Sequence, residues 1–159
     1  MNITELADAY QKLIRAAEGI TDSTPVTGTE RADVDWRLAH ITLSDRILAS
    51  AARDILGGAE GVVVDNLPAM DAQAIAGFIA STTHLQRIDT MRRNAAELMD
   101  LLEQIPDAAG GTVVDLRIHD RDGRHVSDSQ MAWSDLVGLR SAQNIPGHTD
   151  SLAELAKRV

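Results

Sequence analysis

Two stretches carry the residues with chemical potential. In "DWRLAHITLSDRIL", Asp35 to Leu48, His40 lies inside a wide apolar helical arc with Arg37 and Ser44 near its middle. In "SAQNIPGHTDSLAEL", Ser141, Asn144 and His148 project among the apolar residues Ile145, Leu152 and Leu155. Residues four apart stand above one another on a helix, so Asn144 and His148 can address one point. Pro146 cannot donate its amide and clashes with the carbonyl of Ala142 in a straight helix. The spacing therefore predicts a kink beside Gly147 and a pocket on the inward face.

Bundled helices lie ~8–10 Å apart and a histidine nitrogen reaches zinc at ~2.0–2.1 Å, so His40 and His148 on neighbouring helices could share one ion. The alternative is two buried histidines, each satisfied by a hydrogen bond without metal. The chain has no Cys, which excludes disulfides, thiolate catalysis and Cys-type zinc sites. Any metal must sit on His, Asp, Glu or an amide oxygen. Of the other histidines, His119 and His125 flank a hairpin turn and read as solvated strand positions, and His84 has no assigned role. Arg87, Arg92 and Arg93 read as a solvated face. "GGAEG" lacks the lysine of a phosphate loop, and "DRDG" lacks a calcium-loop Glu because residue 131 is Met.

The elements that must position these groups read as one domain over residues 1–159. A first helix runs from about Ile3 to Glu18, and a polar loop follows. A second helix, capped by Asp33 or Asp35, ends at Gly57-Gly58. "GVVVDNLPAM" reads as a connection, partly extended. A long helical region spans Asp71 to Gln104, with a phase change near Gln86 to Thr90 that predicts a kink or a change of packing partner there. Alternation at Val114, Leu116 and Ile118 before Asp122-Gly123 predicts a β-hairpin, the only strands lying between about Gly111 and Asp128. Ser134 would cap the last helix. The fold class expected is all-α, a four-helix bundle with a small hairpin before its last helix.

The formal charge of −9 argues against a nucleic-acid surface, which relies on Lys and Arg. No apolar run approaches the ~20 residues of a membrane span, and the acidic start "MNITELADAY" is not signal-like, so a cytoplasmic protein is expected.

Both stretches resemble motifs of the DinB-like (YfiT-like) metalloenzyme superfamily. "DWRLAHITLSDRIL" resembles its second helix, with a Trp four residues before a ligand His, and "SAQNIPGHTDSLAEL" its last helix, with two ligands four apart. The resemblance covers nearly the whole chain in element order. It implies an up-down-down-up four-helix bundle and a divalent metal, zinc or nickel, on His40, Asn144 and His148. The sequence departs from the family at Asn144, where an amide replaces the usual His or Glu. Relatives such as mycothiol-dependent maleylpyruvate isomerases imply a low-molecular-weight thiol activated at the metal, with Arg37, Ser44 or Ser141 orienting a small-molecule substrate. The expectation is a DinB-like divalent-metal-binding protein working as a homodimer, with metal-dependent, thiol-using transferase or isomerase activity left open. The alternative is a non-catalytic bundle that binds a small ligand in the same cavity or acts as a dimeric interaction protein.

Overall fold

Local capping signals set the helix boundaries. The computed structural model of the chain describes residues 1–159. Helix α1, Thr4–Glu18, buries Leu6, Tyr10, Leu13 and Ala17 at helical spacing. Helix α2 runs from Gly28 to Leu56 and begins well before Asp33 or Asp35. Its start is a capping box: Thr27 Oγ1 accepts from the Glu30 amide at 3.1 Å, and Glu30 Oε1 accepts from the Thr27 amide at 2.9 Å. The Thr-x-x-Glu signal thus overrides the polar, loop-like composition around it.

The expected long third helix is two helices, α3 (Ala72–Ala80) and α4 (His84–Gln104). Thr83 and Gln86 form a second capping box, so the chain restarts at His84 instead of bending between Gln86 and Thr90.

The expected all-α, up-down-down-up four-helix bundle is not what the chain forms. The architecture is mixed α/β, with a three-stranded sheet ordered β1-β2-β3 beside the helices. "GVVVD" is strand β1, Gly61–Asp65, and pairs in parallel with β2, Val113–His119, in the register Val64↔Leu116. β2 then pairs antiparallel with β3, His125–Ala132, across a turn in which Gly123 has φ +77°. The physical reason is plain. Three consecutive β-branched valines suit a strand, but a short apolar run carries no periodicity that separates strand from connection. Parallel pairing needs a long crossover, here α3 and α4, so no local turn announces it.

The last helical rod has three parts: α5 (Trp133–Leu139), a π-helical turn (Arg140–Asn144) and α6 (Ile145–Ala156). Trp133 opens the rod, and neither Ser134 nor any other side chain caps it. The wider turn sends the Ile145 amide to the Arg140 carbonyl, five residues back. This is how the helix accommodates Pro146, whose ring would meet a carbonyl in unbroken α geometry. Gly147 is exposed with open space around it, so its missing side chain creates no room inside.

α1 packs on α6, α2 on α4, and the sheet on α2. One apolar core joins them, with Leu13, Leu38, Ile41, Met91, Leu98, Trp133 and Leu152 fully enclosed. No helix is long and apolar enough to cross a membrane.

Candidate functional site

A cavity of about 330 Å³ lies between α2, the inner face of the sheet and the last rod. α2 contributes His40, Ser44, Ile47 and Leu48, one to two turns apart along its inward face. The sheet side contributes Val64, Asn66, Met70, Leu116 and Ile118, and the rod contributes Leu136, Leu139, Arg140, Asn144 and His148. Four residues singled out from sequence, His40, Ser44, Asn144 and His148, therefore line one cavity. Arg37 stands beside them without lining the cavity. Ser141 is not brought to it, and its hydroxyl donates to the Gly138 carbonyl at 3.0 Å.

The two imidazoles face each other with ring centroids 5.5 Å apart and planes tilted by 53°. His40 Nδ1 lies 2.8 Å from the carbonyl oxygen of Ala69. A carbonyl only accepts, so Nδ1 carries the proton and Nε2 a lone pair. His148 Nδ1 lies 2.9 Å from Arg37 Nη1. A guanidinium only donates, so this Nδ1 accepts and the proton sits on Nε2. The rings hold opposite tautomers, and neither Nε2 has a partner within the protein or is occluded by it.

Both rings are neutral near pH 7. Burial, with smaller contributions from Arg140, Arg121 and Arg37, brings His40 down from 6.5 to about 4 against the opposing pull of the Ala69 carbonyl. Burial, then His40 and the same arginines, brings His148 down to about 3.

The surroundings lock the pair. Trp36 stacks on His40 at 4.7 Å with planes 10° apart, and the Arg121 guanidinium from the hairpin turn lies 3.5 Å over Trp36. Asp33 accepts from Arg37 Nε at 2.7 Å and from Arg121 Nη2 at 2.9 Å. Burial works against the Asp33 carboxylate, but these two guanidinium bonds hold its pKa below the usual range.

Sequence reasoning missed a second polar group. Tyr10, Asp45 and Arg140 meet in the core, where Tyr10 donates to Asp45 Oδ1 and Arg140 Nη2 donates to the same oxygen at 2.5 Å. Arg140 Nε reaches the Tyr10 hydroxyl at 3.2 Å. Burial raises the pKa of both Tyr10 and Asp45, and Arg140 opposes it in each case. Arg140 Nη1 makes no bond inside the protein and is not occluded, so the triad holds a guanidinium edge toward the cavity. The available signal was Asp45, a carboxylate next to Ser44 on the apolar arc of α2.

The remaining histidines and arginines resolve as structural groups. His84 Nε2 donates to the Ala17 carbonyl at 3.0 Å. His119 is not a solvated strand residue. Its side chain is 12% exposed, and Nδ1 lies 3.3 Å from both Asp65 and Asn66. His125 is exposed and pairs with Asp128 at 2.7 Å. Arg92 and Arg93 are solvated as expected, but Arg87 is buried and ion-pairs with Asp35 at 2.9 Å.

These residues do not suit a divalent metal. No three His, Asp or Glu side chains converge on a point, so the donors would be two imidazoles and the Asn144 amide, a weak set for zinc or nickel. A metal on His148 Nε2 would need its proton removed, yet Nδ1 already faces Arg37. Three guanidinium groups add positive charge at the pair.

No protein-family model, curated protein or solved structure matches the chain.

Proposed function

We propose that this chain binds a small organic molecule in the cavity, without a metal. The supporting observation is the cavity itself, whose size falls within the range of small-molecule sites and whose mostly apolar lining carries a few polar groups. An apolar body would pack on Ile47, Leu48, Val64 and Leu116. A polar head would accept from His148 Nε2–H and Arg140 Nη1 and donate to the His40 Nε2 lone pair, with Ser44 and the Asn144 amide also lining the cavity. The reading is of binding, with no reaction assigned to the cavity.

A low-molecular-weight thiol as the bound molecule is a second reading, favoured by one observation: the free lone pair of His40 can accept from an S–H. With a pKa of about 4, His40 is an acceptor and not an efficient base for a thiol whose own pKa is near ~8.5. Binding is thereby supported over activation.

The test is ligand-observed NMR with a panel of small organic acids, amides and thiols on the intact chain and on Ile47→Trp, which fills the cavity. Members that bind the parent, compete with one another and lose binding in the folded Ile47→Trp variant would support the proposal. A panel that fails throughout, or hits that persist in the filled variant, would overturn it.

A further inference from the structure

The Arg37–His148 contact is more than an incidental ion-dipole pair. Arg37 is one turn past Asp33 on α2, and Asp33 fixes its Nε at 2.7 Å. That leaves Nη1 aimed at His148 on α6, a residue from the far end of the chain, at 2.9 Å. Asp33 is itself held by Arg121, whose guanidinium covers Trp36, which in turn stacks on His40. The chain of contacts closes around both imidazoles and is built from side chains on α2, the hairpin turn and α6. The Arg37 side chain is 21% exposed, so water competes weakly for its fork.

A histidine that ligates a metal through one nitrogen usually donates from the other to a carbonyl or carboxylate. His40 meets that pattern through Ala69. His148 has the reverse, a cationic donor on the nitrogen that would have to donate.

We infer that Arg37 holds the place of a metal in this site: its guanidinium is the resident cation, it excludes zinc and nickel, and it fixes His148 as a donor to the cavity. The head group such a site accepts carries an acceptor for His148 Nε2–H and a donor for His40 Nε2, as an amide or a hydroxy-carbonyl compound does. Histidine at position 144 alone would not complete a metal site while Arg37 remains. Arg37 must leave as well.

Calorimetric titration of the untagged protein with zinc and with nickel tests this without any organic ligand, so it is separable from the proposal above. The parent and Asn144→His should show no saturable binding at micromolar metal. Arg37→Met keeps the aliphatic stem and removes the donor and the charge. Combined with Asn144→His, it should bind zinc ~10–100-fold more tightly than Asn144→His alone, the scale on which a partner that governs ligand basicity acts. Arg37→Lys with Asn144→His retains a cationic donor and should stay weak. Tight binding by the parent or by Asn144→His would overturn the inference. So would a folded Arg37→Met/Asn144→His variant that gains nothing. Should Arg37→Met not fold, Arg37→Ala in the same pair of backgrounds carries the same two outcomes.

Discussion

Acidification should destabilise this protein through its two cavity histidines before its free carboxylates titrate. Both imidazoles have folded pKa values, about 4 and about 3, below the ordinary 6.5. The unfolded chain therefore binds more protons than the folded one below pH 6.5, and stability falls as pH falls. Each loses ~1.4 kcal/mol per pH unit between 6.5 and its folded pKa. At pH 5 both remain neutral in the fold, which costs about 2 kcal/mol per histidine and about 4 kcal/mol for the pair. Free carboxylates, near 3.9 to 4.3, contribute little in this window. Urea unfolding at pH 7 and pH 5 on the parent, His148→Gln and His40→Gln/His148→Gln isolates the effect. The pH-dependent loss should shrink by about 2 kcal/mol in the single variant and about 4 kcal/mol in the double. Equal losses in all three proteins would refute the reasoning, because the imidazoles would then not be held neutral by the fold.

Further outcomes follow from burial, hydrogen bonding and capping. Asp45→Ala leaves the Arg140 charge without a counter-ion and the Tyr10 hydroxyl proton without an acceptor in the core, and should cost about 3–5 kcal/mol in urea unfolding; a loss below about 1 kcal/mol would contradict the triad. Tyr10→Phe removes one neutral donor and should cost only about 1–2 kcal/mol by the same assay, with Arg140 still on Asp45. Thr27→Ala opens the first capping box and should cost about 1 kcal/mol, whereas Asp35→Ala should act through the loss of its Arg87 ion pair and leave the helix start unchanged by amide exchange.

The legible parts of the site were those written at helical spacing. His40 and Ser44, and Asn144 and His148, are each four apart, and each pair meets the cavity. Arg37 was visible as a neighbour but not in its role, because its partners Asp33 and His148 lie on its own helix and on the last one. Ser141 failed because the π turn changes the angular phase of the rod between 140 and 144, so projection at constant helical angle misplaces it. The sheet was half legible: the Asp122-Gly123 turn announced the hairpin, while β1 pairs across two intervening helices and leaves no local trace. Buried charge was legible only at Asp45, a carboxylate on the apolar arc of α2, and its pairings were not. Arg87 is paired by Asp35 and Arg140 by Asp45, and nothing along the sequence shows that such residues are neighbours.

The tautomers of His40 and His148 test the central claim most directly, and long-range proton–nitrogen NMR correlation of the imidazole rings at pH 7, on protein without added metal, reads them. The account predicts two neutral rings of opposite kind, His40 protonated on Nδ1 and His148 protonated on Nε2. Both rings protonated on Nδ1, the arrangement a shared metal would need at Nε2, or either ring carrying a full positive charge, would contradict it.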